Sequence, residues 1–158
     1  MTARRGSVRH QLRVAAEAES VWALVGDPAR LPEWFPGIEA CVVEDDLRTV
    51  TTRSGLPMPE RLLTVDPTLR RLQYRITAPL FVEHLGTVDV LDLGDGTSLV
   101  VYSTDAEPAA LALVIGGAAR AALARLPAAL GLGHAEGDGD DSRRGRGPGH
   151  HPPTPGGR

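Results

Sequence analysis

The sequence is poor in the residues that build disulfides, metal sites and nucleic-acid surfaces. Its one cysteine, Cys41, excludes an intrachain disulfide and any C-x-x-C zinc site. Lysine is absent, so all 17 basic residues are arginine, and the formal net charge is −3. Because no basic stripe follows any predicted strand or helix, the composition argues against nucleic acid as a partner.

Familiar catalytic motifs are missing as well. The sequence has no Ser-His-Asp spacing, no glycine-rich phosphate loop and no H-E-x-x-H zinc motif. Acidic residues such as Glu60, Asp89 and Asp105 are scattered without a convincing pair. The sequence therefore predicts no confident catalytic residue, no metal site and no cofactor.

Both ends of the chain are short of apolar residues. M-T-A-R-R-G-S-V-R-H lacks the apolar core of a signal peptide, which predicts a soluble cytoplasmic protein, and residues 1–6 are expected to be flexible. Residues 131–158 are rich in Gly, Asp, Arg, Pro and His and bury too little apolar area to offset chain entropy, which predicts a disordered tail. His134, His150 and His151 lie in that tail, where scattered histidines are more often part of a tail than metal ligands.

Residues 108–130 form the one stretch with the composition of a long apolar helix. Ala and Leu dominate it, and Pro108 suits a first helical position. Arg120 and Arg125 are its only charged residues, and the first of them ends the apolar run short of the ~18–20 residues that a bilayer needs. An apolar stripe follows helical spacing: Leu111, Ile115, Ala118, Ala119, Ala122, Leu126 and Leu130. Such a helix needs a large partner surface, which predicts a curved sheet around it.

The chain before residue 108 supplies that sheet. Alternating and apolar patterns predict strands at residues 8–15, 38–44, 47–53, 60–65, 71–77, 81–93 and 98–105. Between the first two strands, A-E-S-V-W-A-L-V-G-D predicts a short amphipathic helix that Gly26 ends. Asp27 and Pro28 predict the cap and first position of a second helix over residues 28–34.

Three segments carry longer motifs: V-W-A-L-V-G-D-P-A-R-L-P-E-W-F-P-G-I-E, R-L-L-T-V-D-P-T-L-R-R-L-Q-Y-R-I-T and G-D-G-T-S-L-V-V-Y. With the order of elements, they resemble the START-like (Bet v 1-like, SRPBCC) superfamily, in its branch named polyketide cyclase/dehydrase and lipid transport. The resemblance covers residues 7–130. It implies an α+β helix-grip fold, in which a seven-stranded antiparallel sheet wraps the C-terminal helix around an apolar cavity.

The resemblance implies function less specifically than fold, because most matched positions are turns or core. It makes binding of a lipid, polyketide or similar hydrophobic molecule the first expectation. One alternative is an aromatase/cyclase-type enzyme, in which Tyr74, His84 and an arginine would steer enolisation. Another is a protein-interaction module with a vestigial or filled cavity. Several inward polar groups would favour the enzyme, and a filled core would favour the interaction module.

The candidates for the ligand pocket are Trp34, Arg53, Tyr74, His84, Tyr102, Ile115, Gly116 and Ala119. Tyr74 shares a strand face with Leu72 and Ile76, and a buried tyrosine hydroxyl seeks a hydrogen-bond partner. Glycine inside a helix costs about 1 kcal/mol relative to alanine, so Gly116 and Gly117 need a reason. They either leave volume for a cavity or allow close packing against the sheet, and both readings stay open here.

The other candidates are argued from their positions. Trp34 lies between two turns, which fits either a pocket entrance or core packing. Arg53 could bind a ligand carboxylate or enol oxygen, although arginines that point to solvent are more common. His84 is the strongest candidate for a polar group in the cavity, but both faces of its strand are mixed, and Tyr102 has the same ambiguity.

Overall fold

The computed structural model describes residues 4–133. Its elements are β1 (Gly6–Val14), α1 (Ala18–Val25), a 3₁₀ turn (Pro28–Arg30), α2 (Leu31–Trp34), β2 (Ile38–Glu44), β3 (Leu47–Thr52), β4 (Pro57–Asp66), β5 (Arg71–Ile76), β6 (Glu83–Asp92), β7 (Ser98–Glu107) and α3 (Ala109–Ala129). The predicted α+β helix-grip fold is confirmed.

The seven strands form one antiparallel sheet in the order β1-β7-β6-β5-β4-β3-β2. Strands β2 to β7 follow one another as hairpins, and β1 closes the sheet by pairing with β7. The register shifts within β4, between Leu62 and Thr64, and within β2, between Ile38 and Ala40. Such irregularities bend a strand and increase its twist, so they help the sheet to curve around α3.

The predicted second helix is divided into the 3₁₀ turn and α2. Asp27 caps the turn as expected, since its side chain accepts a hydrogen bond from the N–H of Ala29 at 3.0 Å. The break has a covalent cause: Pro32 has no N–H to donate to the carbonyl of Pro28, as a continuous α-helix would require. That carbonyl instead accepts from the side chains of Cys41 and Arg48.

Helix α3 packs closely on β1 and β7. Its buried residues are mostly small: Ala112, Gly116, Ala119, Ala122, Leu123 and Leu126. A Cβ added at Gly116 would lie 2.7 Å from Cγ1 of Val8 on β1, which is inside van der Waals contact. Gly117 is exposed and has open space around it. Of the two readings of this glycine pair, close packing therefore describes Gly116, and neither glycine faces a cavity.

The C-terminus of α3 is closed by a Schellman motif. The N–H of Gly131 donates to the carbonyl of Ala128, and the N–H of Leu132 donates to that of Pro127. This motif needs a left-handed residue, and Gly131 has φ of +73°. Leu132, in the predicted tail, packs partly buried against the core. The rest of that tail, residues 134–158 with its three histidines, lies outside the described residues.

In the described part of the chain, α3 is the one helix with the length and apolar composition of a membrane span, at a hydropathy of 1.6. In the fold, 33% of that span is buried, and this face packs on the sheet as a core helix does. Leu113 and Val114 are exposed on the opposite face, as are Arg120 and Arg125. A core helix of a globular domain can have the same length and apolar composition, so these two properties are only weak evidence for a membrane span.

Candidate functional site

A cavity of about 200 Å³ lies between α2, the inner face of the sheet and α3. Most of its walls are apolar, with side chains that include Leu31, Phe35, Ile38, Val50, Met58 and Ile115. Gly37 is the one exposed residue in its lining and marks the side on which the cavity reaches the surface. Five polar side chains also line it: Arg48, Thr52, Glu60, Tyr74 and Tyr102. This combination of apolar walls and a few polar groups is typical of small-molecule sites.

Arg48 and Glu60 form a buried ion pair in the wall of the cavity. They stand directly opposite each other on β3 and β4, and are only 2% and 4% exposed. Both Nε and Nη2 of Arg48 lie 2.7 Å from Oε2 of Glu60. Charges this deeply buried persist only when they are paired, so each residue holds the other in place.

The remaining contacts of Arg48 orient its guanidinium group. Its Cζ atom lies 4.8 Å from the centroid of the Tyr74 ring, a cation–π arrangement. Its Nη1 donates to the carbonyl of Pro28 at 3.5 Å. Pro32 leaves that carbonyl without a helical partner, so the break between the 3₁₀ turn and α2 contributes directly to the site.

Tyr74 and Tyr102 meet inside the cavity although their strands are not neighbours. Strand β6 lies between β5 and β7, and Tyr74 is paired with Gly86 of β6. A Cβ at position 86 would overlap the Tyr74 ring. Because Gly86 has no side chain, the Tyr74 ring lies across β6 and its hydroxyl oxygen comes within 2.6 Å of that of Tyr102.

Burial sets the protonation of these groups. It raises the pKa of Tyr102 to about 12 and that of Tyr74 well above its usual range, so both are neutral hydroxyls at neutral pH. Burial also raises the pKa of the Glu60 carboxyl, although the Arg48 charge opposes this. The polar wall therefore consists of one compensated ion pair and one neutral hydroxyl pair.

His84 lies behind this wall and is 1% exposed. Its ring centroid is 5.4 Å from that of Tyr74 and 5.3 Å from that of Phe81. Nδ1 accepts a hydrogen bond from the N–H of Ile76 at 3.0 Å, beyond the point where the β5–β6 pairing ends. Burial, followed by the charge of Arg75, lowers the pKa of His84 to about 4. The imidazole is therefore neutral at pH 7, and its Nδ1 accepts from a backbone N–H of β5 that has no partner on β6.

The eight sequence candidates are only partly brought together. Tyr74, Tyr102 and Ile115 line the cavity, and His84 contacts it through Tyr74. Trp34 is 2% exposed, with its ring centroid 6.1 Å from that of Tyr102, and the next residue, Phe35, lines the cavity in its place.

The other three candidates lie elsewhere. Arg53 is exposed in the β3–β4 connection, where its backbone N–H donates to the carbonyl of Gly37 beside the cavity opening. Gly116 packs against Val8, and Ala119 is buried in the core. The α3 residue that joins Ile115 in the cavity wall is Ala118.

Sequence reasoning missed the ion pair. In the sequence, Glu60 is one scattered acid among several, and no motif distinguishes Arg48 from the other arginines. Arg48 lies on the same face of β3 as the buried Val50. The register of the β3–β4 hairpin places Glu60 opposite Arg48. That pattern of opposite charges is the signal that identifies the pair, but it requires the register to be known.

Comparisons with known proteins agree with this fold. A family model described as polyketide cyclase / dehydrase and lipid transport matches residues 5–131. No curated protein matches the sequence. Among solved structures, the protein XoxI from Bacillus cereus is similar with a TM-score of 0.74 and 24% identity, over 79% of this chain and 95% of that chain.

Two structures with stated activities are also similar. The Zhui aromatase/cyclase from Streptomyces sp. R1128 has a TM-score of 0.64 and 22% identity, over 80% of this chain and 92% of its own. Norcoclaurine synthase from Thalictrum flavum, in complex with dopamine and hydroxybenzaldehyde, has a TM-score of 0.61 and 20% identity, over 82% and 91%. At these identities the similarity shows the shared fold alone.

Proposed function

The chain belongs to the polyketide cyclase/dehydrase and lipid transport family, and we propose that it binds a hydrophobic small molecule in the cavity between the sheet and α3. The observation that carries the proposal is the cavity itself, about 200 Å³ with mainly apolar walls and five polar side chains. An unfilled space inside a domain reduces stability, so its presence is accounted for when a ligand occupies it.

The volume limits what the cavity holds. Apolar cavities of about 150 Å³ bind benzene, whereas sites for drug-sized ligands start at about 300 Å³. At about 200 Å³, this cavity suits a molecule of one substituted ring. A longer polyketide or lipid chain would have to extend out past Gly37.

A pair of substitutions on α3 tests the proposal. Ala118 lines the cavity, so Ala118→Leu places three additional carbon atoms inside it. Ala121 is exposed on the outer face of the same helix, so Ala121→Leu is the matched control. In titrations with an apolar fluorescent dye small enough for a cavity of this size, we expect Ala118→Leu to weaken binding at least tenfold and Ala121→Leu to leave it unchanged. Absence of dye binding by the parent, or equal binding by both variants, would contradict the proposal.

A second candidate, an enzyme of the aromatase/cyclase type, is favoured by one observation: Arg48, Glu60, Tyr74 and Tyr102 converge on one cavity. The neutral tyrosines could polarise a carbonyl, and Glu60 is the carboxylate placed to take a proton from carbon. Proton exchange tests this. If the protein enolises ketones, it will accelerate the exchange of α-protons of 2-tetralone in D₂O, and Glu60→Gln will abolish the acceleration. Exchange at the uncatalysed rate would leave ligand binding as the function.

A further inference from the structure

The polar side chains in the cavity wall restrict the class of ligand more than its apolar walls do. Building on the proposed binding function, we propose that the ligand is an uncharged single-ring molecule with a hydroxyl group, a phenol or the enol of a cyclic ketone. Its hydroxyl group would lie between the Tyr74–Tyr102 pair and Glu60, and its ring would fill the apolar part.

The tyrosine pair has one hydroxyl hydrogen to offer. Two hydroxyl groups carry two hydrogens, and the bond between their oxygens, 2.6 Å apart, uses one of them. Within residues 4–133, neither hydroxyl makes a further hydrogen bond. The second hydrogen is therefore available to a ligand oxygen, and the raised pKa values keep it in place at neutral pH.

Glu60 offers the complementary acceptor. Both close nitrogen contacts of Arg48 go to Oε2. No described residue donates a hydrogen bond to Oε1, the other oxygen of the carboxylate. A carboxylate oxygen can only accept hydrogen bonds, so Oε1 favours a ligand that donates one. A hydroxyl group meets both requirements, since its oxygen accepts from the tyrosine pair and its hydrogen is donated to Glu60, whereas an ether or ketone oxygen meets only the first.

The charge balance of the wall excludes ionised ligands. The charge of Arg48 is already compensated by Glu60, so a ligand carboxylate would find no free cation and would face Oε1 as a like charge. A ligand ammonium would compete with Arg48, which holds Glu60 through two nitrogen atoms. The rings of Phe35, Tyr74 and Tyr102 line the cavity and provide faces and edges against which a flat ring packs.

Four probes that share an ethyl-substituted benzene ring separate these requirements. 4-Ethylphenol donates and accepts, 4-ethylanisole only accepts, ethylbenzene does neither, and 4-ethylbenzoate is an anion. By calorimetry or ligand-observed NMR at pH 7 with the full chain, we expect 4-ethylphenol to bind about tenfold more tightly than ethylbenzene. 4-Ethylanisole should lie between them, and 4-ethylbenzoate should bind most weakly.

The double variant Tyr74→Phe/Tyr102→Phe assigns the preference to the hydroxyl pair. Both rings remain and both partners of the buried hydrogen bond are removed together, a change that is often nearly neutral for stability. We expect the ratio of the affinities for 4-ethylphenol and ethylbenzene to fall severalfold. An undiminished preference in this variant would overturn the assignment.

Failure of this inference is distinguishable from failure of the proposed function. If the dye binds but 4-ethylphenol binds no better than ethylbenzene, or 4-ethylbenzoate binds best, the ligand class is wrong and the binding function stands. If neither the dye nor any of the four probes binds, both are wrong.

Discussion

Tyr74 on β5 and Tyr102 on β7 are hydrogen-bonded through their hydroxyl groups, 2.6 Å apart, although β6 separates their strands. The contact depends on Gly86 of β6, above which the Tyr74 ring lies. A residue without a side chain thus determines where two polar groups of the cavity are placed. The tyrosine pair and the Arg48–Glu60 pair share the Tyr74 ring, so they form one continuous polar wall.

We expect Gly86→Ala to disturb this wall. The new Cβ would overlap the Tyr74 ring, which is rigid and has packed neighbours, so the ring must move. Overpacking of this kind destabilises by about 1–3 kcal/mol. Urea denaturation measures the loss, and titration with 4-ethylphenol measures the effect on the cavity. Parent-like stability and binding would show that the Tyr74 ring has room to shift.

The two adjacent glycines of α3 are expected to respond differently to substitution by alanine. Gly117→Ala adds a methyl group in open space and gains helix propensity, so it should stabilise by up to about 1 kcal/mol. Gly116→Ala makes the same gain but places its methyl group 2.7 Å from Cγ1 of Val8, a stiff β-branched side chain. We expect it to be less stable than Gly117→Ala by about 1–3 kcal/mol. Thermal and urea melts of the two variants, each the control for the other, test the difference.

Removing one member of the buried ion pair should be more harmful than removing both. Glu60→Leu leaves the Arg48 charge buried without a partner, which typically costs about 3–5 kcal/mol. In the double variant Arg48→Met/Glu60→Leu no charge remains, and apolar replacements of buried ion pairs are often neutral or stabilising. We therefore expect the double variant to unfold at a higher urea concentration than Glu60→Leu. The reverse order would mean that Arg48 reaches solvent when Glu60 is absent.

His84 should make the fold sensitive to acid. Its pKa is lowered from 6.5 to about 4, so the folded state favours the neutral ring. This contribution to the free energy of unfolding is complete above about pH 6.5 and is lost as the pH falls through about 4. In His84→Asn, Oδ1 replaces Nδ1 as acceptor for the N–H of Ile76 and does not titrate.

Urea denaturation of the parent and of His84→Asn between pH 7 and pH 4 measures the contribution of His84 protonation to stability. The carboxyl groups titrate in both proteins, so their effect cancels in the difference. The parent should lose more stability over this range than His84→Asn does. Parallel curves would show that protonation of His84 is not linked to folding.

Trp22 tests the packing of α1. Its side chain is 9% exposed in the core, and a Cβ at Gly26 would overlap its ring. Trp22→Ala should destabilise by about 3–5 kcal/mol, the usual range for a buried large aromatic residue. Calorimetric melts measure this loss, with the substitution of exposed Leu56 by Ala as control. Equal stability of the two variants would mean that α1 packs differently.

Most of the fold was predictable because its signals are local. The predicted bounds of β2 agree with the structure, and those of α3 differ by one residue at each end. Alternating side chains mark strands whatever they pair with, and Asp, Gly and Pro mark the turns between them. The split between the 3₁₀ turn and α2 was missed, although Pro32 is its cause.

The site was less predictable, because its parts lie far apart in the chain. Tyr74 was expected to point inward from its strand neighbours, and it does, with 3% exposure. Trp34 and Phe35 are adjacent, and which of them faces the cavity depends on the rotation of the four-residue α2. Arg48 and Glu60 carry no local sign of burial, since charged residues in strands usually face solvent.

What the sequence by itself determined is the order and type of the elements, the antiparallel sheet and the apolar helix that it encloses, because these follow from periodicity and turn chemistry within short windows. Only the tertiary structure decided which polar side chains meet. That depends on strand register, which places Arg48 opposite Glu60, and on close approach at Gly86, which lets Tyr74 reach Tyr102. A buried charge is stable only beside its partner, and a glycine gives no side-chain signal of what will pack above it.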